Sequence, residues 1–240
     1  MANALTENIP VIEVFAEVLR LKLDTEDLAQ TVLRKVQDAS YIYGDVLALF
    51  NRCLLELSGR FLLPDLEVMR DIQTDPNNGS MPLPSDYQKN LRYAHSITHN
   101  RKVTVFDSVI LMNRHFAKID QTGVVLAVAI KGRELYYQRA PSSAETIQIN
   151  YWAYPEQMAT RYTKPTCLPV HLVEPLLYNF ACKQLYSEIE DGIDGQKINT
   201  NYYANEYNQA VADLSAFIGP EKREPQTIPQ DLPWDRWLYG

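Results

Sequence analysis

Glycine is scarce in this chain, with nine among 240 residues, and none stands in a phosphate-cradling loop or a nucleophile elbow. Those motifs need glycine where backbone must turn sharply or approach a phosphate, so a nucleotide-dependent enzyme is not expected. Cysteine is sparser still. Cys53, Cys167 and Cys182 are widely spaced and form no C-x-x-C pair, which reads as three reduced thiols of a protein assembled in the cytosol. Basic residues are also in deficit: 23 Lys and Arg against 30 Asp and Glu leave a net charge of −7. That excludes a domain that grips nucleic acid through its phosphates, though not one that surrounds DNA. No apolar run approaches membrane-spanning length, and Met1 to Asn8 lacks the basic-then-apolar order of a signal peptide, so none is expected. Internal repeats are absent, which argues against a solenoid.

What is present is an ordinary globular hydrophobic fraction, 46%, enough for one full core or two small ones. Helical periodicity is strong in three places. Tyr43, Leu47, Phe50, Leu54, Leu57 and Phe61 recur every three or four residues and are stopped by Pro64. A shorter helix is expected to open after Asp24 or Thr25, with Glu26 and Asp27 at its positive end. After Leu168-Pro169, the residues Leu177, Ala181, Leu185 and Ile189 stack at four-residue intervals, with Pro175 expected to lie in the first turns or to bend the helix. Tyr203, Tyr207, Ala210, Leu214 and Phe217 line a third face that ends at Gly219-Pro220. The turn Glu190 to Gly195 between these last two makes them an antiparallel hairpin.

The middle of the chain reads as strands: Val103–Phe106, Ser108–Leu111, Gly123–Ile130, Arg133–Gln138 and Thr146–Tyr151, with a hairpin turn at Lys131-Gly132. Asp75 to Pro84 reads as a loop. Ser85 with Gln88 forms a capping-box pattern that predicts a short helix through Ile97.

Two constellations invite a chemical reading. His95 and His99 stand at i and i+4, the spacing of a helical zinc site, but the glutamate that such a motif places beside its first histidine is missing. A polar face near a loop is expected there, and no metal. His115 and His171 have no partner that spacing identifies. Glu188, Glu190, Asp191 and Asp194 form an acidic cluster. A calcium loop is broken by Gly192 and Ile193 and lacks the closing glutamate. Glycoside hydrolysis needs one carboxyl whose pKa is raised, and an interhelical turn is expected to be solvated instead.

Met81–Tyr87, Gly123–Tyr137, Ala140–Pro155 and Leu168-Pro169 before a helical hairpin follow one another in an order that resembles the head-to-tail adaptor proteins of tailed bacteriophages. Met81-Pro-Leu-Pro-Ser-Asp-Tyr87 resembles their "LP-x-D-Y/F" entry. Gly123-Val-Val-Leu-Ala-Val-Ala-Ile-Lys-Gly-Arg-Glu-Leu-Tyr-Tyr137 is similar to their "Y-x-I-x-G-x-x-L" hairpin, with alanine where an aromatic often stands. Ala140 to Pro155 resembles their "P-x-P…I-x-L-x-Y-Y-x-x-P" strand, and Leu168-Pro169 leads into a helical hairpin. The resemblance runs from about Leu47 to Ile218. It implies a ring, usually of twelve copies, beneath the portal of a capsid, which extends the DNA channel, helps retain DNA and presents a platform for tail proteins. In some short-tailed phages the adaptor's C-terminus lies against the portal.

The last stretch here, from Gly219 to Gly240, carries four prolines and closes on Trp234, Trp237 and Tyr239. Ordering its backbone costs about 1–2 kcal/mol per residue, less at proline. Burying an apolar side chain returns about 1.5–3 kcal/mol. Leu232, Trp234, Trp237, Leu238 and Tyr239 together do not offset that cost, so the tail is expected to be mobile in a free monomer and to order on the portal, where many tails bind at once.

The reading is therefore an α+β protein: an antiparallel helical bundle with an inserted small β domain and an extended C-terminal tail. Residues 1–80 hold the N-terminal helices and a loop, 81–165 the β domain, 166–218 the helical hairpin and 219–240 the portal-docking tail. The function expected is that of a structural virion protein and not an enzyme, without cofactor. Its partners are the portal, a nozzle or tube protein of the tail and copies of itself in a twelve-membered ring around genomic DNA that it does not bind specifically. No membrane is involved. Its place is the head-tail junction, after assembly in the host cytoplasm. The competing readings are a tail-tube or stopper subunit and, from a different class, a peptidoglycan hydrolase built on the acidic turn.

Overall fold

A computed structural model describes residues 27–116, 122–160, 165–192 and 197–220. The chain divides into two compact units, the residues up to Leu66 with Tyr154–Pro220, and a continuous stretch that runs over Glu67–Ala153.

The first unit is helical. Helix α1, Leu28–Val36, starts at Asp27, whose carboxylate accepts from the Gln30 amide at 3.3 Å, and it closes on Gln37 in the left-handed region. Helix α2, Tyr43–Arg60, is entered through Asp45, which accepts from the Ile42 amide at 2.9 Å. Its buried stripe is Val46, Phe50, Cys53, Leu54 and Leu57, so the helical period holds while Tyr43, Leu47 and Phe61 lie only at its margin.

Helix α4, Val170–Ile189, begins after Pro169 and carries Pro175 within it. It buries Leu172, Val173, Leu176, Leu177, Phe180, Ala181, Cys182 and Leu185. That set is too broad for one stripe, because α1, α2 and the last helix, α5, all pack on it. Helix α5, Ile198–Ile218, runs antiparallel to α4: Tyr203 lies against Tyr186, Tyr207 against Phe180 and Phe217 against His171. It ends at Gly219, whose φ of 73° suits glycine and whose amide closes on the Ser215 carbonyl at 3.0 Å.

The second unit is a sheet of seven strands in the order β1-β7-β3-β4-β5-β6-β2. They are β1, Glu67–Gln73; β2, Ser80–Pro82; β3, Tyr87–Ser96; β4, Arg101–Phe106; β5, Ala127–Lys131; β6, Glu134–Tyr137; and β7, Thr146–Ala153. All pairings are antiparallel except β4 with β5, whose crossover carries helix α3, Val109–His115. One face of the sheet holds Ile72, Ala94, Val103, Val128, Leu135, Ile147, Ile149 and Tyr151 in a common core. On the other face, α3 covers Phe106, Ala127 and Ala129 through Met112 and Phe116. Strand β5 is thus buried on both sides, and small alanines admit the helix closely.

The structure corrects the expected fold class. The five α-helices among the described residues accompany a seven-stranded mixed sheet curled into a half-barrel, not a helical bundle with a small β domain. Three of the strands come from segments whose local pattern misleads. Strand β1 and strand β2 lie in stretches with no strand signal of their own. The capping-box pattern at Ser85 and Gln88 opens no helix, since Tyr87–Ser96 pairs with β7 through two register shifts, with Asn90 in the left-handed region at φ 54°. In the other direction, Ser108–Leu111 is helical. The Ser108 hydroxyl accepts from the Leu111 amide at 3.2 Å as a cap, and that signal outweighs the β-branched pair after it.

If β7 organises the sheet core, Ile149→Ala, which empties a fully buried site between β1 and β3, lowers stability by about 2–5 kcal/mol. Met69→Ala on the exposed edge strand changes it by less than about 0.5 kcal/mol. Urea denaturation midpoints of the two variants test the contrast.

Candidate assembly surfaces

The histidines do not converge. His95 lies in β3 with its ring stacked on Tyr93, centroids 6.2 Å apart. His99 lies in the following turn, so the four-residue spacing falls on a strand and a turn instead of one helix face. His115 packs edge-on against Phe106 and His171 against Phe217. Among the described residues no group of three His, Cys, Asp or Glu side chains is arranged to hold a metal ion.

His99 instead reaches Glu145, with Nε2 3.4 Å from Oε1. Glu145 is buried, and both its carboxylate oxygens accept from the Val125 amide, at 3.2 and 3.4 Å. Its own amide donates to the Thr74 hydroxyl at 2.9 Å and its carbonyl accepts from the Thr74 amide at 2.9 Å. Nearby, Arg101 donates to the Val125 carbonyl at 3.3 Å, and burial lowers its pKa against the opposing pull of Glu145. One residue therefore joins three places: its backbone ties the end of β1 to the start of β7, and its carboxylate ties the approach to β5 and the turn after β3. No sequence pattern marks it, because its partners are amides and side chains 20 to 71 positions away.

The acidic turn is structural as well. The Glu190 carboxylate accepts from the amide and side chain of Asn199 at 3.1 and 2.9 Å, and from the amide and hydroxyl of Thr200 at 3.1 and 2.7 Å. It caps the free amides at the start of α5 across the interhelical turn. The turn is thus not wholly solvated, since Glu190 is 7% exposed. The Thr200 hydroxyl, with the other three donors, holds the Glu190 carboxyl below its ordinary pKa, the opposite of what a general acid for glycoside hydrolysis requires. Glu188 accepts from the Tyr41 hydroxyl at 3.0 Å, and Asp191 pairs with Lys197 at 3.0 Å. Asp194 lies outside the described residues.

The three thiols are free and buried. Burial pushes Cys53 and Cys182 up to about 12 and Cys167 up to about 11. Thiols so shifted are neutral at physiological pH and poor nucleophiles.

Surfaces remain as the candidates for function. In the sheet unit, α3 exposes Ile110 and Leu111 side by side, Ile110 to 67%. In the helical unit, α5 exposes Ile198 and Tyr202 one turn apart, with Phe217 at its far end. Phe217 had the spacing of a buried residue, but it stays exposed and meets His171 of α4 only edge to face. These are small groups of exposed apolar residues, not a large contiguous patch. The aromatic tail side chains named from sequence, Leu232, Trp234, Trp237, Leu238 and Tyr239, lie outside the described residues.

A family model described as SU10 adaptor protein matches residues 24–228. No curated protein matches the chain. Among the described residues no helix is long and apolar enough to cross a membrane.

Because the folded Glu190 pKa is depressed, its cap contributes stability that is present above the ordinary glutamate value of about 4.3 and is lost as pH falls through the lower folded value. Glu190→Gln lowers the thermal midpoint at neutral pH, and the gap to the parent protein closes as pH drops below about 4. Thermal unfolding followed across pH 3 to 7 checks this; a constant gap across that range contradicts the capping role.

Proposed function

The chain belongs to the SU10 adaptor protein family, a phage head-to-tail adaptor family, and on that premise we propose that it forms a ring beneath the portal of a tailed phage. A structural protein of the head-tail junction that meets portal and tail components is what the family implies. The finer reading is that about twelve copies close the ring, extend the DNA channel and seat a nozzle or tube protein of the tail. The residues from Gly219 to Gly240 are the portal clamp in this reading, with Leu232, Trp234, Trp237, Leu238 and Tyr239 as anchors. Assembly takes place in the host cytoplasm.

The family match over most of the chain carries the proposal. Physical features support it. The net charge of −7 is compatible with an acidic lumen, which in this reading repels DNA at close range and lets it slide without sticking. Aromatic side chains, above all tryptophan, most often dominate binding energy at an interface, and two stand at the tip of the tail. Repetition around a ring multiplies weak single dockings into firm attachment.

Electron microscopy of the protein mixed with its portal tests the reading. A ring of adaptor density below the portal is the expected image, and a persistently free monomer counts against it. A chain ending at Pro225 is expected to fold as the full protein does, by circular dichroism, yet to lose portal binding. Portal binding that survives the truncation removes the tail from the clamp.

A further inference from the structure

Each unit exposes one helix face on which apolar side chains and a charge stand together. On α3, Met112 and Phe116 turn toward the sheet, while Ile110, Leu111 and Arg114 are exposed. Arg114 lies four and three residues after that apolar pair, so all three share a face. On α5, Tyr203, Tyr207, Ala210 and Leu214 are buried. The opposite face exposes Ile198, Tyr202 and Glu206 at four-residue steps. Ile110, Ile198 and Tyr202 are exposed to 67%, 64% and 56%, so these side chains stand open to solvent in the single chain.

The two faces match in layout and oppose in sign. In each, an apolar pair is followed one turn on by a charge, Arg114 on α3 and Glu206 on α5. Among the described residues neither charge enters an ion pair. The units repeat the contrast: Glu67–Ala153 carries ten Lys and Arg against eight Asp and Glu, whereas residues 1–66 with 154–220 carry ten against eighteen. Fields of opposite sign steer the sheet unit of one copy toward the helical unit of another. Pairing either face with its own counterpart would instead oppose two equal charges.

We propose that α3 of one copy docks on the first turns of α5 of the next copy, with Ile110 and Leu111 against Ile198 and Tyr202 and with Arg114 against Glu206. The occupant of each face is a second copy of this chain. Ile110 to Arg114 and Tyr202 to Glu206 each span about 6 Å of helix at ~1.5 Å per residue, so two helices lying side by side in the same direction bring apolar pairs and charges into step. Because the two faces differ, the contact is heterologous, the kind that generates rings when the rotation closes. It is a small contact, and repetition around the ring gives it weight. It presupposes the ring proposed above and supplies faces by which neighbouring copies meet.

The test mixes the full chain with its portal and counts rings by electron microscopy and native mass spectrometry over a range of chain concentrations. Arg114→Glu and Glu206→Arg, both at exposed positions, each raise the concentration for half-assembly about tenfold or more, with unchanged circular dichroism. An equimolar mixture of the two variants restores rings, because unlike copies then offer one another opposite charges. One chain carrying both changes restores them too. Lys102→Glu, an exposed cation on β4, leaves assembly close to that of the parent. Rings that form normally from the Arg114→Glu chain, a loss that the mixture does not repair, or an equal loss from Lys102→Glu overturn the proposal and leave the ring reading standing. A parent chain that stays monomeric in the presence of portal overturns both.

Discussion

The sheet unit depends on the hydrogen-bonding demand of β7. That strand is buried on both faces over most of its length, so every amide and carbonyl along both of its edges must find a partner away from water. β1 supplies one edge and β3 the other. Neither neighbour is strongly specified by its own residues: β1 carries Glu67, Arg70, Asp71 and Gln73, and β3 reaches register only after two shifts around Asn90. Their strand form is imposed by pairing, and Glu145 secures the arrangement by holding Thr74 and Val125 at the same end.

The helical unit solves a different problem. α4 is apolar over too much of its circumference to lie on a surface, and among the described residues α1, α2 and α5 all pack on it. Aromatic contacts set the register of the α4–α5 hairpin, from Tyr186–Tyr203 near the turn to His171–Phe217 at the open end. Glu190 completes it by satisfying amides that the first turn of α5 cannot satisfy internally. Carboxylates that looked available for chemistry are thus committed to holding helix and strand ends. This fits a family whose work is assembly, in which rigid units present surfaces.

Much of the helical unit was legible along the chain, because helix-forming contacts are local: three- and four-residue spacing, Pro64 and Gly219-Pro220 stops, and the acidic turn all act within one or two turns. The hairpin at Lys131-Gly132 was legible for the same reason, and Gly132 does take a positive φ of 66°. The curled sheet was not. Its size rests on the pairing of β1 and β3 with β7 and of β2 with β6, all far off in sequence, and Ser85 with Gln88 offered a local helix signal that β7 overrides. Of the candidate sites, the histidine pair and the acidic cluster were visible as spacings, while Glu145 was not singled out, since only strand register brings its partners to it.

By itself the sequence determined the helices with their stops, the reduced and unpaired cysteines, the acidic balance and the order of motifs shared with an adaptor family. Each of these is set by neighbouring residues or by composition. Only the tertiary structure decided that the middle of the chain is a seven-stranded half-barrel and that Glu190 and Glu145 are ionic fasteners. Those outcomes follow from which distant backbone groups pair with β7, and pairing energy is not written in any local stretch of residues.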